Sequence, residues 1–317
     1  MSFGSCLQVV LFWVKIKKMN KNKISDFLTP DISYLLGLIT GRGEIQSTND
    51  VKKIVIDFQY KALESKAITK VFDQKLHIQT SLDPIIYRLH NLGINTVKNV
   101  TENNISVTLT WSTDDISWMF IKFLINGTRY NYHDFAVPEP IFETIDDNKR
   151  EFLRGLCDVT AYVRESNYEQ YGKGTPKRHR VYIEISNRNW YLPTQLCQLL
   201  QTLNVPMQYV GYGHPNIRGG NGTSWAKEHQ LKIYAEDFQS IGFYITHKNE
   251  ALEELAEYNR ENFSRSQNLC DGTTTRIKTK PSHECETHEK LPTEINGQHF
   301  DSFKQICKCL GCYLQTT

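Results

Sequence analysis

"YLLGLITGRGEI", Tyr34 to Ile45, and "FLRGLCDVTAYV", Phe152 to Val163, decide how the rest of this chain is read. Each sets a glycine, Gly37 or Gly155, among leucines at helical spacing: Leu35 and Leu38 in the first, Leu153 and Leu156 in the second. A helix with glycine at that place can bring its backbone against a neighbour, because no side chain intervenes. Thr29-Pro30-Asp31 supplies a cap and an early proline for the first helix, and Gly43 stops it. Neither helix ends in an acid. Arg42 stands near the end of one and Thr160 near the end of the other.

Outward from each stretch the same order of elements follows. "VKKIVIDFQYK" (Val51–Lys61) alternates as a strand, and "SLDPIIYRLHNLGI" (Ser81–Ile94) is an amphipathic helix ended by Gly93. "TVKNVTENNISVTLTW" reads as a hairpin and "TDDISWMFIKFLING" (Thr113–Gly127) as a capped helix. The second half repeats this with "RHRVYIEIS" (Arg178–Ser186), "LPTQLCQLLQTLNV" (Leu192–Val205), the strands "MQYVGY" and "HQLKIYA", and "EDFQSIGFYI" (Glu236–Ile245). The pattern predicts an α+β fold made by internal duplication. Its units are residues 29–137 and 149–262, joined by a proline-bearing linker at 138–148 and followed by an extension at 263–317.

Residues 1–28 read as a leader. Its apolar run "LQVVLFWV" is followed rather than preceded by Lys15, Lys17 and Lys18, the reverse of a signal peptide, so Met19 is the expected start. No run of eighteen apolar residues predicts a membrane span. The eight cysteines lack a secretory context, which points to a reducing, intracellular setting. Lys and Arg number 37 against 35 Asp and Glu, so local patches rather than net charge must speak for a polyanionic partner.

The two stretches resemble the signature of the LAGLIDADG homing endonucleases, in their single-chain, duplicated form. Leu35 to Gly43 aligns once with it and Leu153 to Ala161 a second time. The resemblance implies a pseudo-two-fold monomer with α-β-β-α-β-β-α units, a double-stranded DNA partner, and Mg²⁺ held by one carboxylate from each opening helix. Those carboxylates fall on Arg42 and Thr160, so the usual metal site is missing at both helix ends. Glu44 and Asp158 are the acids two residues away, and Asp158 matches the motif's other, non-catalytic acid. A two-residue shift turns a helical side chain by about 200°. Asp57, with Gln59 and Lys61 expected on the same strand face, is the alternative acid. Glu44, Asp158 and Asp57 are therefore the catalytic candidates.

DNA would lie on the polar strand faces. Lys53, Gln59 and Lys61 share one such face, Arg180 and Tyr182 the other. The acid-free loops carry Lys173, Lys177 and Arg178, and in the glycine-rich segment Arg218, suited to phosphate contacts. In the extension Cys285, His288, His299 and Cys312 (or Cys307) are candidate ligands of a structural zinc ion.

The sequence thus predicts a DNA-binding protein of endonuclease descent, a homing- or restriction-type enzyme with a rearranged metal site. A non-cleaving regulator, or an RNA-binding protein like an intron maturase, is the alternative. The expected place is the cytoplasm or nucleoid, or an organelle if the reading frame lies in an intron.

Overall fold

The computed structural model describes residues 28–47, 52–63, 76–102, 104–112, 115–125, 129–164, 178–217, 225–263, 293–295 and 298–300. The first unit runs α1 (Pro30–Arg42), β1 (Gly43–Ser47), β2 (Lys52–Gln59), α2 (Tyr60–Leu63), α3 (Leu76–Ser81), α4 (Asp83–His90), β3 (Asn95–Val100), β4 (Asn104–Trp111) and α5 (Ile116–Leu124). A short helix, α6 (Glu139–Glu143), leads to the second unit. That unit runs α7 (Asp146–Thr160), β5 (Ala161–Arg164), β6 (Arg180–Ile185), α8 (Tyr191–Thr202), β7 (Tyr209–Ile217), β8 (Trp225–Tyr234) and α9 (Ala235–Phe238). Then come α10 (Thr246–Asn262) and a strand pair, β9 (Thr293–Ile295) and β10 (Gln298–Phe300). The α+β expectation holds, with two antiparallel sheets of identical order, β1-β2-β4-β3 and β5-β6-β8-β7.

The opening helix starts where its sequence says. The Thr29 side chain accepts from the Ile32 N–H at 3.2 Å, Pro30 stands in the first turn, and the helix ends as Gly43 turns extended. The helix α1 is buried from Ser33 to Arg42 because α7 lies along it. A Cβ placed on Gly37 would sit 2.0 Å from the Phe152 carbonyl oxygen. One placed on Gly155 would sit 2.2 Å from the Tyr34 carbonyl oxygen. Phe152 precedes Gly155 by one helical turn, as Tyr34 precedes Gly37, so the two contacts are the same contact made in both directions. That reciprocity is the pseudo-two-fold relation expected of the duplication.

Each sheet buries one face. In the first, Ile54, Ile56 and Phe58 meet Ile105, Val107 and Leu109; in the second, Val181, Ile183 and Ile185 meet Leu231 and Ile233. Period-two alternation puts these residues on one side of every strand. The helices α4 and α8 cover them with Ile85, Leu89, Leu192, Leu196, Leu199 and Leu200.

Two local expectations change. The strand β2 stops at Gln59 and the chain turns into α2, whose Ala62 and Leu63 are buried, so Lys61 leaves the strand face it was expected to share with Asp57 and Gln59. The last helix of the second unit shrinks to Ala235–Phe238, since Gly242 adopts a left-handed conformation (φ 66°) that ends any helical path. Among the described residues no helix is long and apolar enough to cross a membrane.

Candidate functional site at the seam of the two halves

Both opening helices hand directly into the first strand of their sheet, so their last residues lie where the two halves meet. Arg42, the last residue of α1, is only 6% exposed. Its guanidinium lies 5.1 Å over the Tyr132 ring, and one terminal nitrogen stands 3.9 Å from the Glu228 carboxylate on β8. Its Nε has no hydrogen-bond partner. The β1–β2 ladder begins with Gly43 paired to Ile56, and Asp57, the next residue of β2, feels the Arg42 charge. Asp57 accepts from the Asn104 amide. Burial raises its carboxyl, against the opposing pull of Asn104, Arg42 and Gln59.

The matching place in the second half is built differently. The Thr160 hydroxyl donates to the Leu156 carbonyl at 2.7 Å, satisfied within its own helix. The β5–β6 ladder begins with Ala161 paired to Ile183, and Glu184 is the next residue of β6. Glu184 accepts from the Tyr162 hydroxyl at 2.9 Å and from Gln230 at 3.4 Å. Sequence reasoning places Glu184 only on the polar strand face beside Arg180 and Tyr182, and it passed over Glu228, because no helix-end acid marks either place. Ladder register was the signal that pointed to Glu184.

Asp158 lies two residues back along α7, on the opposite side of the helix, and is wholly buried. Its carboxylate accepts from the Tyr34 hydroxyl at 2.6 Å and from the Tyr244 and Ile245 N–H groups at 3.3 and 3.5 Å. Burial pushes its carboxyl up to about 6, while Lys248, Tyr34 and those two N–H groups favour the anion. The buried Lys248 ammonium, pulled down by desolvation, donates to the Cys157, Asp158 and Ala161 carbonyls at 3.0, 3.0 and 2.6 Å. It caps the α7 C-terminus, where the helix dipole favours a cation. Arg88 closes this region, paired with Asp31 at 2.7 Å and Glu151 at 2.8 Å and stacked 4.2 Å over the Tyr34 ring. Asp158 thus ties the second half to the first through Tyr34. Glu44, by contrast, is exposed on β1 and pairs with Val55.

A further tie crosses the seam where His133 Nδ1 stands 2.5 Å from the Ser186 hydroxyl. Burial lowers the His133 imidazole, helped by Arg188 and Arg42, against the opposing pull of Asp134 and Glu44.

A divalent ion of the kind the resemblance implies takes hard oxygen ligands, with carboxylates supplying the counter-charge. The residues at the two helix ends do not fit it. One end presents a buried guanidinium, the other a hydroxyl already bonded to its own helix, and Asp158 is enclosed by other donors. Among the described residues no group of three or more His, Cys, Asp or Glu is placed to hold a metal ion.

The strand faces expected to meet DNA differ between the halves. Lys53 and Gln59 lie with Val55 and Asp57 on the half-buried polar face of β2, opposite the core. The register adds Asn95, Val97 and Asn99 from β3, and Asn104, Ser106, Thr108 and Thr110 from β4, to that face. On the second sheet Tyr182 is buried at 5% exposure, its ring stacked on Tyr162 at 5.4 Å and 5°. Arg178 pairs with Glu236 and lies 3.8 Å over the Tyr234 ring, while Arg180 is 5.4 Å from the same ring. Lys173, Lys177 and Arg218 lie outside the described residues, as do Cys285, His288 and Cys312. His299 is placed only as a backbone position in β10.

No protein-family model matches the chain. No curated protein matches it either. Solved structures similar to it include the N-terminal LAGLIDADG domain of DUF199/WhiA, at 16% identity and TM-score 0.36 over 74% of this chain and 92% of that one. They also include I-DmoI in complex with DNA and Mn, at 15% identity and TM-score 0.36 over 73% and 97%. A third is the I-SmaMI LAGLIDADG homing endonuclease bound to cleaved DNA, at 10% identity and TM-score 0.35 over 74% and 88%. Likeness of this size carries nothing further. The architecture rests on the strand order and the reciprocal glycine contacts.

Proposed function

We propose that this chain is a double-stranded DNA-binding protein built on the duplicated LAGLIDADG plan, and that it does not cut DNA by the two-carboxylate, Mg²⁺-dependent route. The observation that carries this reading is the buried Arg42 guanidinium at the helix end where that route needs a carboxylate. Thr160 at the other end supports it, since a hydroxyl engaged with Leu156 is no substitute for an acid. The first sheet supports a DNA role through its amide and hydroxyl side chains, which have the donors and acceptors that major-groove base edges present. Phosphate contacts fall to Lys173, Lys177 and Arg218. The protein acts as a monomer, because the symmetry that a dimer would supply is already within the chain.

Selection from a randomised duplex library in EDTA, with a parallel incubation in Mg²⁺, tests this. Recovery of a preferred sequence in EDTA, uncut in Mg²⁺, is the expected result. Site-specific double-strand cutting in Mg²⁺ overturns the non-cleaving part. Absence of duplex binding, with retention of RNA, overturns the DNA part.

A further inference from the structure

The edge of the first sheet carries a side-chain pattern that its fold does not need. In the order β1-β2-β4-β3, the strand β3 stands at the edge opposite β1 and is paired with β4. Its Thr96 is buried, and Lys98 is tied to Asp83 and to the Gln79 carbonyl, so these two serve the inner face. The alternate residues Asn95, Val97 and Asn99 are exposed on the other face. One exposed valine is ordinary in itself. Its place is not: it stands between two exposed amides, and the three residues lie in register with the hydroxyls of Thr110, Thr108 and Ser106 on β4. The acids of this face, Glu44 and Asp57, belong to β1 and β2.

The second sheet fills the matching positions differently. Ladder register puts Tyr209 of β7 where β3 has Val97, and Gly211 where β3 has Asn99. Tyr209 is buried with the Lys232 ammonium over its ring, and two residues before it comes the buried Met207. An edge that reads amide, valine, amide in one half reads methionine, tyrosine, glycine in the other.

We propose that β3 is the base-reading element of this protein and that readout is confined to its half of the target, with Val97 seated on a thymine 5-methyl group and Asn95 and Asn99 bonded to adenines on either side. Asparagine suits adenine because its carbonyl accepts from N6 while its amide donates to N7. An aliphatic side chain and the thymine methyl group shield each other from water. The spacing agrees. Alternate residues of a strand lie about 6.8 Å apart, which is about two base-pair steps. The major groove admits a two-stranded ribbon, and β3 with β4 is such a ribbon. The matching places of β7 offer no amide, so the second half adds no equivalent readout.

This inference rests on the DNA-binding reading, and its test separates the two. Full-length protein selects from a randomised duplex library in EDTA, and affinity for the selected duplex is measured by fluorescence anisotropy at fixed salt. Preference is expected in one half only, with two A·T pairs about four steps apart and a third between them. The thymine of the middle pair is then replaced by deoxyuridine, which lacks the methyl group and keeps the O4 acceptor. The native protein is expected to lose about fourfold in affinity, and Val97→Ala to be indifferent to the replacement. Asn95→Ala and Asn99→Ala should each lose the preference for one flanking adenine by about fivefold or more. All three variants change exposed side chains and should melt as the native protein does.

Duplex binding with equal preference in both halves, or with none, overturns this inference alone. So does a native protein indifferent to deoxyuridine at every thymine of the preferred half, or a Val97→Ala variant that keeps the native loss. Absence of duplex binding overturns the DNA-binding reading and this inference with it.

Discussion

The two sheets share strand order and hairpin plan, and each buries an aliphatic face against helices. Their other faces are unlike. On the first sheet the row Glu44, Val55, Thr108, Val97 and the row Asp57, Ser106, Asn99 carry short polar and aliphatic groups, with Val97 as much as 55% exposed. On the second sheet the matching row is Tyr162, Tyr182, Lys232 and Tyr209, and it is packed shut. Arg164 lies 4.7 Å over the Tyr182 ring and Lys232 lies 4.3 Å over the Tyr209 ring. Gly211 leaves room for the Tyr209 ring, whose nearest carbon a Cβ would meet at 2.6 Å. Cations that lie on aromatic rings are held by the ring quadrupole and by burial. One ladder thus yields two surfaces, an open face of amides and hydroxyls and a closed face of stacked rings. Backbone pairing sets the order of a sheet, and the side chains of a single face decide whether that face reads a ligand or packs upon itself.

The largest expected effect comes from breaking what both sheets stand on. Gly155→Val pushes a side chain into the Tyr34 backbone and is expected to cost more than about 4 kcal/mol in urea denaturation, enough to prevent isolation of folded protein. A soluble variant with native melting would show that the helix pair is not the shared foundation. Next, Tyr182→Ala should cost about 3 kcal/mol, while Thr108→Ala on the open face stays within about 0.5 kcal/mol. Equal losses would erase the difference between the faces.

The buried Asp158 gives a pH test of the tie between halves. Its carboxyl is pushed up to about 6, above the unfolded value of about 4, so between those values the folded state holds the proton more tightly. Its contribution to stability therefore grows as pH falls from about 6 to about 4 and is lost as pH rises back through 6. Measured against Asp158→Asn across that window, the native protein should gain on the order of 1–3 kcal/mol on acidification. A constant difference between the two proteins would mean that Asp158 does not titrate there.

The smallest effect on stability, and the sharpest on recognition, is expected from Asn99→Ala. Melting should be unchanged, while preference for adenine at one base pair in one half of the selected DNA weakens by about 1–3 kcal/mol. Unchanged base preference would remove the first sheet's open face from recognition.

Much of this molecule is legible along the chain. The alternation of "KKIVIDFQ" and "RVYIEI" marks which residues face the core, and Thr29, Pro30 and Gly43 bound the first helix. Each depends on contacts within a few residues. The candidate site is less legible. Asp158 looks like a displaced catalytic acid, yet Tyr34 and the Tyr244 and Ile245 amides, distant in sequence, enclose it. Tyr182 looks like a reader of DNA because it alternates with core residues, but Tyr162 across the ladder covers its ring. Lys248 gives no sign of its role, since the carbonyls it caps belong to a helix in another part of the chain.

By itself the sequence determined the repeated element order, the two glycine-bearing helices, the polar and apolar sides of the strands, and the absence of an acid from both helix ends. These follow from local backbone preference and from periodicity, which are written residue by residue. Only the tertiary structure decided that Arg42 is buried beside Glu228 of the other half, that Asp158 is a clasp, and that one polar face is open while the other is shut. Those outcomes depend on which side chains are brought together from distant segments, and charge and burial act through space rather than along the chain.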